Sequence, residues 1–282
     1  MPASLWMLSS ALCFSLMVVC VRQVGGRIPL AEVVLVRALV SLALSWWLLR
    51  RAGIPPLGNR RDLLAVRGVL GTLALFCVYG AVLRLPLATA TVLQYLYPTL
   101  TAGLAWMLLG EALGPRLLLA APLGWLGVLV IGLPPGSTSD AAGGATGAVE
   151  PLGIALAVAG ALLTSLAYIS VRRLGRSEHP LVIILYFPLM ALPLSLPAVL
   201  LDPVLPTARE ALWLLGVGVF TQLGQIGLTH GLTALPAARA TALSYCQVLF
   251  AALWGWLFFA ETPSGGTMLG AALILSATLL SR

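Results

Sequence analysis

The stretch LPLATATVLQY at residues 85–95 recurs 150 residues later as LPAARATALSY at residues 235–245. The same offset aligns further positions along the chain: Trp106 with Trp256, Glu111 with Glu261, and residues 15–22 with residues 165–172. The chain therefore consists of two copies of one unit in continuous register. Each copy contains five apolar stretches, and an odd number of membrane crossings makes the second copy enter the membrane from the opposite side.

Composition places almost the whole chain in a membrane. The residues are 60% apolar and only 9% charged, with a mean hydropathy of +1.03, whereas a soluble domain carries about 25% charged residues. A membrane-spanning helix needs about 20 predominantly apolar residues. Ten such stretches occur, at residues 3–21, 30–49, 67–84, 87–109, 117–134, 152–171, 181–201, 211–233, 237–259 and 265–281. We therefore predict an all-α membrane protein of ten transmembrane helices, arranged as two inverted five-helix repeats.

The distribution of arginine predicts the orientation of the chain. All 16 basic residues are arginine, and the net charge of +7 follows the predicted topology rather than a nucleic-acid surface. With a cytoplasmic N-terminus, most arginines, including Arg67, fall in or beside cytoplasmic segments, while Arg37 lies within a helix. Cytoplasmic loops of membrane proteins are enriched in basic residues. We therefore predict that both termini are cytoplasmic, in a bacterial-type inner membrane.

The repeat also predicts the domain boundaries and partners. Residues 1–134 form the first repeat, residues 135–150 a linker of small and polar residues, and residues 151–282 the second repeat. The 4 cysteines fall inside predicted helices without metal-ligand spacing, so we predict no metal and no cofactor. The predicted partners are the lipid bilayer and a small-molecule metabolite but no nucleic acid, and the chain is expected to be a monomer or a homodimer.

Motifs in both copies resemble a known family. The motifs are residues 85–91 followed by Tyr95, Tyr97-Pro98 and Gly110-Glu111, together with Arg37 and the segment 67–71. They resemble the EamA-type members of the drug/metabolite transporter superfamily. The resemblance covers essentially the whole chain and implies ten helices around a central cavity, with the fifth and tenth helices at the periphery. It also implies transport of amino acids or other small metabolites, by export or, in some relatives, by import of nucleotide-like compounds.

Two stripes of polar and aromatic residues mark a predicted substrate cavity. They comprise Thr91, Gln94, Tyr95 and Pro98 in the fourth predicted helix, and Thr241, Ser244, Tyr245 and Gln247 in the ninth. Polar groups in hydrocarbon need partners, so these stripes should face the interior and each other. The alternative is that they form hydrogen bonds that only hold the helices together. Pro98 removes a backbone hydrogen bond, which predicts a bend beside the cavity or a packing kink.

Further candidates for the cavity come from other helices: Tyr79, Tyr168, Tyr186, Gln222 and Gln225. A tyrosine offers a flat apolar surface and one hydroxyl, which suit a small amphiphilic substrate. Tyrosines near a membrane face are instead commonly interfacial anchors, and this alternative applies most to Tyr168 and Tyr186.

Arg37 is the most specific single prediction. It lies roughly 10 Å into the second predicted helix at about 1.5 Å per residue, where a charge costs about 2.5–3.5 kcal/mol. It would therefore attract a carboxylate or phosphate of the substrate. The alternatives are that it reaches the headgroups or pairs with carbonyls at a helix end.

The remaining titratable residues favour a carrier without strong proton coupling. No Asp or Glu lies deep in a predicted helix, and His230 is the one intramembrane group that titrates near neutrality. Glu111 and Glu261 stand at matching helix ends, where we expect them to cap backbone amides.

We therefore predict a secondary transporter that exports or exchanges amino acids or related amphiphilic or anionic metabolites by alternating access. An importer of nucleotide-like or organic-anion metabolites is the alternative. An enzyme is disfavoured because no cluster of catalytic residues converges. A non-transporting structural subunit is disfavoured because the loops are short, and no ATP-binding motif is present.

Overall fold

The computed structural model describes residues 2–82, 84, 93–112, 114–132, 151–201, 203–259 and 265–280. This part of the chain is helical and contains no strand. The helices are α1 (Ala3–Val24), α2 (Leu30–Ala52), α3 (Arg61–Val82), α4 (Tyr97–Leu109), α5 (Pro115–Gly132), α6 (Pro151–Leu174), α7 (Pro180–Leu201), α8 (Ala208–Ala234), α9 (Ala237–Leu243), α10 (Cys246–Phe259) and α11 (Gly265–Leu280). The predicted all-α class is confirmed.

Seven segments of the described chain are long and apolar enough to cross a membrane. They are α1, α2, α3, α6, α7, α8 and the stretch that joins α9 to α10. The other three predicted crossings correspond to the shorter helices α4, α5 and α11. Length and composition therefore support a membrane protein with seven candidate crossings in the part of the chain described, and they do not confirm the ten crossings that we predicted.

The fourth and ninth predicted crossings are not continuous α-helices. In the second copy, hydrogen bonds at the break join residues three apart: Ser244 N donates to Thr241 O over 3.1 Å and Val248 N to Tyr245 O over 3.0 Å. In the first copy a turn occupies residues 95–96, shifted by one residue from the positions 94–95 that match 244–245. Pro98 could break the helix because it lacks an N–H, but Val248 takes its place in the second copy and the break is still present. The tightened turn is thus a property of the repeat rather than of the proline.

Contacts between the two copies recur at the sequence offset. A Cβ atom at Gly68 of α3 would lie 2.6 Å from Met190 Cγ of α7, and a Cβ atom at Gly218 of α8 would lie 2.4 Å from Val40 Cβ of α2. The offset of 150 residues matches Gly68 with Gly218 and Val40 with Met190. The two contacts are therefore equivalent, with the roles of the two copies exchanged. The helices approach closely through glycine, as membrane helices do in the absence of a hydrophobic driving force.

Two contacts join residues that are each other's repeat equivalents. Arg37 Cζ lies 5.2 Å from the ring centre of Phe187, and the rings of Tyr95 and Tyr245 stack with centres 5.9 Å apart at 21°. Equivalent residues can touch only where the two copies meet at their symmetry axis. The seam between the copies therefore runs through these two pairs, and we call it the central seam.

Candidate functional site

Two buried arginines meet at one end of the central seam. Arg37 of α2 is 6% exposed and Arg67 of α3 is 2% exposed. The guanidinium carbons of both arginines lie 5.2 Å from the centre of the Phe187 ring of α7. The face of an aromatic ring attracts a cation, so Phe187 partly compensates both charges. We call Arg37, Arg67 and Phe187 the arginine pair site.

Arg67 is incompletely partnered. Its Nη2 donates to Gln225 Oε1 of α8 over 3.2 Å, whereas its Nε and Nη1 are buried without a hydrogen-bond partner. The absence of a side chain at Gly71, one turn along α3, leaves room for the guanidinium, because a Cβ there would lie 3.3 Å from Arg67 Nη1. Arg37, by contrast, interacts with the hydroxyl of Tyr79. The site therefore contains guanidinium donors that the described residues do not use.

The structure places Arg67 inside a helix rather than at its start. The sequence analysis started the third crossing at residue 67, but α3 begins at Arg61. Arg67 therefore lies more than one turn inside the helix, about 9 Å from its start at 1.5 Å per residue. A count of arginines near predicted helix ends does not distinguish an arginine in a loop from an arginine buried one turn further inside the helix. The structure thus adds a site residue that the sequence analysis missed.

Four tyrosines form the other end of the central seam. Tyr97 packs its edge against Tyr168 with ring centres 5.5 Å apart at 83°, and Tyr95 lies between Tyr97 and Tyr245 at 5.9 Å from each. Tyr97 Oη also shares a hydrogen bond with Ser244 Oγ. Tyr97 was not among the predicted site residues because a continuous helix would point it away from Tyr95, two residues earlier. The turn at residues 95–96 brings it into the cluster.

Several other predicted site residues are engaged in hydrogen bonds within the bundle. Gln222 Nε2 donates to Ser45 Oγ of α2 over 2.9 Å, and Thr241 Oγ1 donates to Ala237 O of its own helix over 3.0 Å. Gln94 precedes the turn at residues 95–96, Gln247 follows the turn at residues 244–245, and both are half-buried. Pro98 is buried at the start of α4, and Thr91 lies outside the described residues. For Gln222 and Thr241 the geometry favours the helix-packing interpretation.

Tyr186 and His230 lie away from the central seam contacts. Tyr186 Oη donates to Leu57 O, in the connection between α2 and α3, over 2.8 Å. The His230 ring stacks on Trp6 of α1 with ring centres 4.8 Å apart at 23°. The hydroxyl of Tyr186 therefore holds a connection, and the imidazole of His230 packs between α8 and α1.

An ion pair holds the N-terminal end of α8, and a hydrogen bond from an ion-paired arginine holds its C-terminal end. At the C-terminal end, Arg172 Nε donates to Glu111 Oε1 over 2.8 Å and Arg172 Nη1 donates to Thr233 O over 2.7 Å. Glu111 Oε2 also accepts from the N–H of Ala237, the first residue of α9, over 2.8 Å. The carboxylate thus caps the start of a helix in the second copy, and Glu261 lies outside the described residues. At the N-terminal end, Glu210 pairs with Arg27.

The Glu210 carboxylate also raises the pKa of Arg27 through their hydrogen bond. This pair and the one between Arg172 and Glu111 connect α8 to both copies, because Arg27 and Glu111 lie in the first copy.

One cavity of about 350 Å³ opens between the α2–α3 connection and the start of α7. Its lining includes Gly58, Asn59, Arg61 and Glu178. Glu178 Oε1 accepts from Asn59 N over 2.9 Å, so the carboxylate fixes the loop that forms one wall. None of the predicted substrate residues lines this cavity.

Comparison with known proteins identifies the family. The EamA-like transporter family model matches residues 1–133 and 151–282. The pseudopaline exporter CntI of Pseudomonas aeruginosa is 31% identical over 271 residues, which cover 95% of this chain and 92% of that protein. Human solute carrier family 35 member G1 is 28% identical over 237 residues, with 82% and 64% covered. A crystal structure shares the fold, with a TM-score of 0.86 at 21% identity over 99% of this chain and 96% of that one. The chain therefore belongs to the EamA-like transporter family.

Proposed function

We propose that the protein is a secondary transporter that moves a small organic metabolite through the central seam by alternating access. The two units, residues 1–134 and 151–282 joined by the linker 135–150, act as inverted repeats in a bacterial-type inner membrane, with both termini cytoplasmic. Export or exchange is the proposed direction, in keeping with the named exporter among the relatives. The observation that carries the proposal is the position of buried charged and aromatic side chains on the symmetry seam between the copies.

The geometry suits a rocking motion of one unit against the other. Inverted repeats alternate access when the two units exchange conformations around a site between them. The interface contains close glycine contacts at Gly68 and Gly218, where helices meet through small residues. The tightened turns at residues 95–96 and 244–245 interrupt the helices beside the seam, and such turns often mark hinges. The ion pairs at the two ends of α8 would then close the two sides in turn.

Counterflow in proteoliposomes tests this function. The purified protein is reconstituted with equal pH on both sides, and exchange of labelled threonine, glutarate and uridine monophosphate is followed separately. We expect saturable counterflow of at least one solute above protein-free liposomes, without a pH gradient because no deep carboxylate is available to carry a proton. Absence of counterflow for all three, with transport restored by a pH gradient, would replace the proposed exchange with proton coupling.

A matched inactive control comes from the seam itself. A Cβ atom at Gly71 would lie 2.9 Å from Phe187 Cδ2, so Gly71→Trp places a bulky group directly on the arginine pair site. This variant should abolish counterflow while eluting as a monodisperse peak in gel filtration. Undiminished flux through a well-folded Gly71→Trp variant would mean that substrate does not pass through the central seam.

A further inference from the structure

We propose that the arginine pair site recognises a substrate with two acidic groups, such as a short dicarboxylate. This inference rests on the proposed function and gives its substrate class. Arg37 and Arg67 each present a guanidinium to the same Phe187 ring at 5.2 Å, so the two charges lie at most twice that distance apart. One small molecule can therefore reach both.

The charge at this site lacks a protein counterion in the described residues. Among the described residues, ion pairs join Arg27 to Glu210 and Arg172 to Glu111, and neither pair involves Arg37 or Arg67. The acidic residues within the described part of the chain lie at or near helix ends or in connections rather than deep within helices. Burial of one uncompensated charge is already costly, and two neighbouring charges of the same sign add repulsion. A bound dianion removes both costs at once.

The hydrogen-bonding groups match that ligand. Arg67 keeps Nε and Nη1 unpartnered although both atoms are buried. These nitrogens lie on different edges of the guanidinium, and each can donate a separate hydrogen bond to an acidic oxygen. Arg37 provides a second guanidinium for a second carboxylate. Phe187 between them offers an apolar surface to the carbon chain that separates the two acidic groups.

Two tyrosines that are only partly buried flank the site. Tyr79, which interacts with Arg37, and Tyr168, whose hydroxyl interacts electrostatically with Arg67, are each only half-buried. Their partly exposed rings flank two arginines that are themselves almost completely buried. A small molecule that reaches the tyrosines would therefore be drawn to the guanidinium groups by charge.

Thermal unfolding of the purified full chain in detergent tests the inference. The probes are glutarate, its monoamide glutaramate and inorganic phosphate at equal ionic strength. At equal concentration, the ligand that binds the folded protein more tightly raises its apparent stability more. We expect glutarate to raise Tm in a saturable manner and glutaramate and phosphate to do so much less. In Arg67→Gln and in Arg37→Gln the Kd for glutarate should rise at least about 30-fold, as expected for loss of one desolvated charge partner.

Control variants separate recognition from a packing role. Arg209→Gln removes an exposed arginine and should leave the glutarate response unchanged. Without ligand, Arg67→Gln should unfold at the same or a higher Tm, because the substitution removes a buried charge with unpartnered nitrogens. Equal responses to glutarate and glutaramate, or an unchanged glutarate Kd in both site variants, would overturn the inference.

The inference and the proposed function fail in different ways. Counterflow of threonine or uridine monophosphate without any glutarate response would reject the dianion site and keep the transporter. A glutarate-dependent rise in Tm that needs both arginines, in a protein that transports none of the three solutes with or without a pH gradient, would support the site and reject transport.

Discussion

Replacement of Gly218 by alanine should destabilise the protein through a single contact between the two copies. A Cβ atom at this position would lie 2.4 Å from Val40 Cβ and 2.6 Å from Val40 Cγ1. Valine cannot swing away, because its Cβ is fixed by the backbone and its side chain is stiff about χ1. The backbones of α2 and α8 must therefore separate at the contact, next to the central seam.

The expected magnitude follows from two opposing effects. Overpacking of a well-packed interior costs about 1–3 kcal/mol, while alanine stabilises a helix by about 0.5–1 kcal/mol relative to glycine. We expect Gly218→Ala to lower the free energy of unfolding by about 1–2 kcal/mol. Gly103 in the middle of α4 is the matched control, since a Cβ there meets no atom within 4 Å. Gly103→Ala should show only the gain in helix stability.

Thermal unfolding in detergent measures the difference. A change of 1 kcal/mol shifts Tm by about 2–4 °C for a chain of this size class, so the two variants should differ by several degrees with opposite signs. The double variant Gly218→Ala, Val40→Gly removes the side chain that the new methyl group meets, and it should lose less stability than the two single variants together. If Gly218→Ala proved as stable as Gly103→Ala, the close approach of α2 and α8 would be refuted.

Three further predictions concern the connections around the site. Glu111→Gln removes the ionic partner of the half-buried Arg172, and should lower the free energy of unfolding by about 1–3 kcal/mol, with a double-mutant cycle against Arg172→Gln showing a coupling above zero. Tyr186→Phe should raise the substrate KM less than twofold in counterflow, because its hydroxyl is bonded to Leu57 O; a tenfold rise would instead assign Tyr186 to substrate binding. His230→Asn should leave counterflow at equal pH unchanged, and loss of exchange that a pH gradient restores would assign this residue to proton coupling.

The repeat offset carried the sequence analysis furthest. It required Tyr95 and Tyr245 to occupy equivalent places, and inverted copies bring equivalent residues together only at their axis. The two rings are stacked in the structure. The same argument applies to Arg37 and Phe187, which are also separated by the offset. The second copy has Phe187 where the first copy has Arg37. This difference in residue type indicates only divergence between the copies, although the matched position predicts the contact between the two residues.

Other features depended on local geometry that composition does not encode. The start of α3 lies at Arg61, in a polar segment that hydropathy assigns to a loop, and this shift decides whether Arg67 is buried. The turns at residues 95–96 and 244–245 rotate the residues that follow them, which places Tyr97 in the tyrosine cluster. Apolar periodicity reports which helix face is buried, but it assumes an uninterrupted helix.

The site is asymmetric because the two copies carry different residues at its matched positions. Arg37 and Arg67 both belong to the first copy, and their equivalents in the second copy are Phe187 and Val217. In the proposed alternating-access cycle the charges would therefore move with the first unit, while the second unit contributes the aromatic surface and Gln225. A fully symmetric repeat would offer a substrate the same environment from either side of the membrane. With both guanidinium groups on one unit, the inward-facing and outward-facing sites differ in chemistry, and a difference in affinity between the two states is what biases a carrier toward one loading side.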